Sequence, residues 1–159
     1  MGFETYTVSF FGHRFVESNR QKELEEKLEK LITDLINQKQ YVEFLVSYGG
    51  DFDTLVSSSI RHITKSSFEF NKSHILVLPY IKAAYKNNSE SFLQFYDEVE
   101  ICEESSVAHP KQAIQICNKR TIDRSDLAVF YIERKYGGAY LTYKYAEKQG
   151  IKTINLGSL

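Results

Sequence analysis

Three short glycine-containing turns in this chain place charged side chains beside backbone that a ligand can approach closely. In Phe11-Gly12-His13-Arg14 an imidazole and a guanidinium follow the glycine. An arginine there suits two-pronged recognition of a phosphate or carboxylate. The competing assignment is a surface loop capped by Arg14, with His13 packed against it. In Tyr48-Gly49-Gly50-Asp51-Phe52-Asp53 the glycine backbone could approach a phosphate while a carboxylate takes a ribose hydroxyl. The competing assignment makes Asp51 a helix N-cap and Phe52 core filler. Tyr136-Gly137-Gly138-Ala139, followed by Thr142, opens a helical segment whose first free N–H groups and dipole make an anion site. Glu133, Arg134 and Lys135 stand just before it. Glu133 follows an apolar run, a position that suits a catalytic or ribose-binding acid and equally a solvated loop carboxylate. Glu133 and Asp53 are therefore the candidate catalytic acids, and Phe11, Tyr48 and Tyr136 are candidates to stack on a base.

Other chemistries find less support. His62, His74 and His109 lack metal-ligand spacing, so no metal is expected. No G-x-S-x-G, Cys–His or Walker pattern occurs, which disfavours triad hydrolysis and P-loop ATP hydrolysis. The two cysteines, Cys102 and Cys117, have no C-x-x-C spacing and read as partly buried thiols in a reducing compartment. A formal net charge of −1, with Lys, Asp and Glu interspersed, argues against a nucleic-acid partner. The N-terminus lacks the pattern of a signal peptide, and no apolar run approaches the ~20 residues of a membrane span. The expectation is a cytoplasmic protein with no membrane association and no cofactor. At 159 residues the chain is sized for one domain, here taken as residues 1–159.

The positioning elements follow from periodicity. Tyr6–Phe11 is short, β-branched and aromatic, and predicts a strand. Over Ser18–Lys39, Leu24, Leu28, Leu31, Ile32, Leu35 and Ile36 recur at helical spacing among charged residues, the pattern of an amphipathic helix. Val42–Tyr48 predicts a second strand, and Phe52, Leu55, Val56, Ser59, Ile60 and Ile63 a second helix. Ser73–Pro79 has the continuous apolar content of a strand covered on both faces. Residues 80–98 are less regular, with a short helix over Ser89–Tyr96, and Glu98–Cys102 reads as a further strand. Pro110–Ile122 predicts a helix with proline in its first turn, then strand Leu127–Ile132, helix Ala139–Gln149 ended by Gly150, and strand Lys152–Leu156. Asp123 and Asp126 fall in the helix-to-strand turn before Leu127, away from the site. This alternation is that of an α/β protein, with an open, mostly parallel sheet and helices on both faces. All three glycine turns then lie at carboxyl ends of strands, where such sheets bind ligands.

The ordered set of motifs resembles a known family. F-F-G-H-R, Y-G-G-D-F-D-T-L, and I-D-R-S-D-L-A-V-F-Y followed by Y-G-G-A-Y-L-T-Y-K-Y-A are similar to the signatures of the YpsA-like branch of the SLOG superfamily, in the same order over residues 7–156. The resemblance implies a Rossmann-like fold that binds a nucleotide or nucleotide-derived ligand, ADP-ribose-like in type. It allows a homodimer without specifying an interface. Relatives include the LOG phosphoribohydrolases, which cleave the N-glycosidic bond of nucleoside monophosphates, and the DNA-processing protein A, which binds single-stranded DNA. The chain departs from the LOG motif P-G-G-x-G-T-x-x-E. Lys144 stands where its Glu falls, Tyr140 and Leu141 replace Gly-Thr, and no Pro precedes Gly137. The resemblance therefore implies ligand binding first, at Gly12, His13, Arg14, Gly49, Gly50, Asp51, Asp53, Glu133, Gly137, Gly138 and Thr142. N-glycosidic hydrolysis or deoxyribosyl transfer is the alternative.

Overall fold

The computed structural model describes residues 4–66 and 70–159. The first half runs β1 (Thr5–Gly12), α1 (Ser18–Gln38), β2 (Tyr41–Val46), α2 (Asp51–Ser66) and β3 (Lys72–Leu78). After it come α3 (Ala83–Asn87), α4 (Ser89–Phe95), β4 (Glu98–Ile101), α5 (Glu103–Ser106), α6 (Pro110–Asp123), β5 (Leu127–Tyr131), α7 (Gly138–Gln149) and β6 (Lys152–Asn155). The strands form one sheet in the order β4-β3-β2-β1-β5-β6, every pairing parallel. This is the expected α/β, Rossmann-like architecture.

Alternation along each strand separates two cores. Val8 and Phe10 of β1, Val42, Phe44 and Val46 of β2, and Val129 and Tyr131 of β5 face the leucine and isoleucine stripe of α1 and Phe52, Val56 and Ile60 of α2. On the opposite face Phe11, Ala128 and Phe130 meet Ile122 of α6 and Ala146 of α7, while Leu45, Ile75 and Val77 meet Cys117. Both faces are covered, which is why the central strands read as unbroken apolar runs. The helices of the second face bury mainly small groups: α6 buries Ala113, Cys117 and Thr121 beside Ile122, and α7 buries Thr142 and Ala146.

The chain enters at the centre of the sheet, steps outward through β2, β3 and β4, and returns beside β1 as β5. Strand order therefore reverses between β1 and β5, and the loops after these strands diverge to open a crevice. Two short helices, α3 and α5, appear where no periodicity marked them, since helices of five and four residues are too short to show an apolar stripe. Strand β2 stops at Val46 rather than Tyr48, because Ser47-Tyr48-Gly49 leaves the sheet to line that crevice. Among the described residues no helix is long and apolar enough to cross a membrane.

Candidate functional site

The crevice is a cleft of about 480 Å³ at the carboxyl ends of β1, β2, β3 and β5, walled on one side by α6 and α7. All three glycine turns reach it, through Gly12, Gly49 and the pair Gly137-Gly138. Its charged lining consists of Arg14, Lys82, Arg134 and one carboxylate, Asp53. Among the described residues none of those three cations is in an ion pair. Lys82 donates to the carbonyl of Tyr48 at 3.4 Å, and the Arg134 guanidinium lies over the Tyr136 ring, 5.0 Å from its centroid. Burial and the neighbouring Arg14 charge both hold the Lys82 pKa below its ordinary value. Arg14 and Lys82 repel one another across the hollow, and an anion placed between them relieves that repulsion.

The two aspartates of the second turn have separate tasks. Asp51 is the first residue of α2 and does not cap its own helix. Its N–H donates to the Arg14 carbonyl at 2.7 Å, and its Oδ2 accepts from the Val16 N–H at 2.9 Å. Asp51 thus clamps the loop after β1 and positions Arg14, which corrects its reading as an N-cap, and it lies outside the cleft lining. Asp53, two residues further on, reaches back so that its Oδ2 accepts from the Gly50 N–H at 3.1 Å, closing the helix start as a capping-box acid does. Its other oxygen has no hydrogen bond among the described residues. Burial pushes the Asp53 carboxyl up from 3.8 to about 6, against the opposing pull of the Gly50 N–H, Lys82 and Arg14.

His13 is buried between the two strand ends at the point where strand order reverses. Its backbone N–H donates to the Tyr131 carbonyl at 3.2 Å, and its ring Nε2 accepts from the Glu133 backbone N–H at 3.0 Å. An acceptor Nε2 carries no proton, so the neutral ring is protonated at Nδ1 and can donate only from there. Burial, then Arg134, lowers its pKa and keeps that neutral form.

Glu133 does not line the cleft. Its carboxylate pairs with Arg20 of α1 at 3.0 Å and accepts from the Tyr131 hydroxyl at 2.9 Å, tying the end of β5 to α1. Thr142 is fully buried, donating to the Gly138 carbonyl at 3.0 Å and accepting from Asn118 at 3.1 Å, which holds α7 against α6. Gly50 is buried beneath Arg14 and also lies outside the lining. At the third turn, Gly137 takes a φ of 96°, a conformation that favours glycine. The first residues of α7, whose amides have no intrahelical acceptor, line the cleft through Gly138 and Ala139.

Of the candidate stacking rings, Phe11 is buried against Phe130, whereas Tyr48 and Tyr136 stay exposed. The sequence reading omitted Phe15, 67% exposed on the lip, and Lys82 on the wall. Lys82 lies beyond the carboxyl end of β3, which Pro79 marks instead of a glycine. Extending the strand-end rule to that turn would have found it.

The histidines without a place in the cleft have structural partners. His62 bonds Glu29, His74 bonds Ser57 inside the protein, and His109 accepts from the Lys111 N–H at the start of α6. Among the described residues no group of three or more His, Cys, Asp or Glu is arranged to hold a metal ion. Asp126 lies at the amino ends of the strands, its carboxylate accepting from the Thr7 N–H at 2.8 Å.

No protein-family model matches the chain, and no curated protein matches it. Two solved structures share its fold. DNA processing protein A from Streptococcus pneumoniae superposes with a TM-score of 0.68 at 11% identity, over 94% of this chain and 50% of that one. DNA processing protein A from Helicobacter pylori, whose structure describes a single-stranded DNA binding mode, gives 0.64 at 12% identity, over 94% and 64%. The chain thus spans about half to two-thirds of their length. At such identities the likeness shows a shared Rossmann-like fold alone; it reaches neither a family nor a branch.

Proposed function

We propose that the cleft binds a phosphorylated ribose ligand, a nucleotide or an ADP-ribose-like molecule, as expected of the YpsA-like branch of the SLOG superfamily. The observation that carries this reading is the convergence of Arg14, Lys82 and Arg134 with the amino end of α7 around one hollow where strand order reverses. The phosphate takes the cations and the α7 amides. The ribose hydroxyls donate to Asp53, whose free oxygen is the one unpaired carboxylate acceptor of the lining. Calorimetric titration with ADP-ribose, NAD and mononucleotides tests it. Arg14→Ala and Arg134→Ala should each weaken binding about tenfold or more, while Glu133→Ala leaves affinity unchanged. Absence of binding to all of these ligands at millimolar concentration overturns the reading. The same mixtures, followed by chromatography, report any base release. Asp53 is the carboxylate in reach for that alternative, N-glycosidic chemistry.

A second reading is favoured by the lip of the cleft. Phe15 and Tyr136 are 67% and 64% exposed beside Arg14 and Arg134. Exposed rings alternating with cations suit the stacked bases and phosphates of a single strand.

A further inference from the structure

We infer that a nucleotide held as proposed above lays its base in a second cavity, between α2 and α4, with its ribose crossing Asp53 on the way. This assignment rests on the phosphate reading of the main cleft and adds the position of the base. The second cavity measures about 340 Å³ and shares Ser47, Tyr48, Gly49 and Asp53 with the main cleft. Its walls are aromatic. Tyr48 packs on Phe92 with centroids 5.1 Å apart, and Phe95 on Tyr96 at 4.8 Å. The rest of its lining is hydroxyl-bearing, from Thr54, Ser57, Ser58 and Ser91, and Asp53 at the shared boundary is its only charged side chain.

Each property selects the same kind of group. Ring faces favour a flat heteroaromatic, and hydroxyls can both donate to and accept from ring nitrogens and exocyclic atoms. A lining without cations and with a carboxylate at its edge suits a phosphate less well than the main cleft does. Behind it, the Ser57 hydroxyl lies 3.0 Å from the Nε2 of buried His74. Burial pushes the pKa of that ring down to about 4, so it stays uncharged at neutral pH. The order across the molecule is aromatic pocket, single carboxylate, cationic cleft. A nucleotide has the matching order of base, ribose hydroxyls and phosphate.

Calorimetry with two probes, AMP and ribose 5-phosphate, tests the assignment on the wild-type protein and on Ser58→Trp and Ser91→Trp. Both serines are exposed on their helices and border the pocket from opposite walls. Wild type should bind AMP at least about tenfold more tightly than ribose 5-phosphate. Each tryptophan should abolish that advantage and leave ribose 5-phosphate binding intact. Equal affinity of wild type for the two probes overturns the assignment without touching the phosphate site, and needs no variant to fold. An AMP advantage that survives in both variants does the same. Binding of neither probe at millimolar concentration overturns this inference and the phosphate reading together.

Discussion

Asp53 is the one carboxylate of the cleft lining, and the cleft alters its ionisation strongly. Its carboxyl is raised from 3.8 to about 6, chiefly by burial. The folded protein therefore holds that proton more tightly than the unfolded chain between pH ~4 and ~6. Stability falls as pH rises through that window and levels off above it. Asp53→Asn keeps an acceptor for the Gly50 N–H and removes the buried charge. Its urea-unfolding stability relative to wild type should improve by roughly 1–3 kcal/mol between pH 4 and pH 7. Parallel stability curves for the two proteins would refute the burial argument. The same variant should bind AMP less tightly, because the ribose acceptor is weakened; a functional group that destabilises its own fold is a common trade. The residue types of the cleft were readable in advance, their pairings were not. Asp51 and Asp53 are two residues apart with the same chemistry, yet one clamps the Arg14 loop and the other lines the cleft. Only the approach of Val16 and Gly50 separates them.

At the scale of elements, the glycine turns are glycine for different reasons. A Cβ on Gly12 would run into the Phe52 side chain of α2, which is fully buried and stacks on Tyr131 with centroids 5.9 Å apart. Gly12 therefore lets α2 pack on the end of β1. A Cβ on Gly137 would meet nothing within 4 Å, and only its φ of 96° calls for glycine. Gly12→Ala should cost about 1–3 kcal/mol through overpacking while nucleotide affinity, measured on the folded fraction, changes little. Gly137→Ala should cost about 1 kcal/mol and weaken nucleotide binding measurably, because the amino end of α7 turns away. Denaturant melts paired with calorimetry decide it, and equal affinity losses for the two variants would contradict the distinction. The strands and long helices were legible because each carries a sustained apolar pattern. The β3–β4 connection was legible only in part: α3 and α4 bury no residue completely, and their short span leaves little periodicity.

For the whole molecule, net charge does not describe the cleft. The total of −1 averages over an outer surface rich in glutamate and a cleft edged by Arg14, Lys82 and Arg134. A ligand responds to the local field. If the single-strand reading holds, fluorescence anisotropy with labelled oligodeoxythymidine should show binding. The slope of log K against log salt should be roughly −2, from three phosphate contacts at about 0.7 each. Phe15→Ala should then weaken the oligonucleotide and leave AMP unaffected. No anisotropy change at low salt would confine the site to small nucleotides. The sequence by itself determined the α/β class, the order of its main elements and the location of the glycine turns at strand ends. Periodicity and chain reversal are local properties, written in neighbouring residues. Which carboxylate faces the cleft, that Glu133 turns to Arg20, that Lys82 joins the cationic wall and that a second pocket lies beyond Asp53 were decided by tertiary structure. Those outcomes depend on groups far apart in the chain, brought together only when the sheet reverses its strand order between β1 and β5.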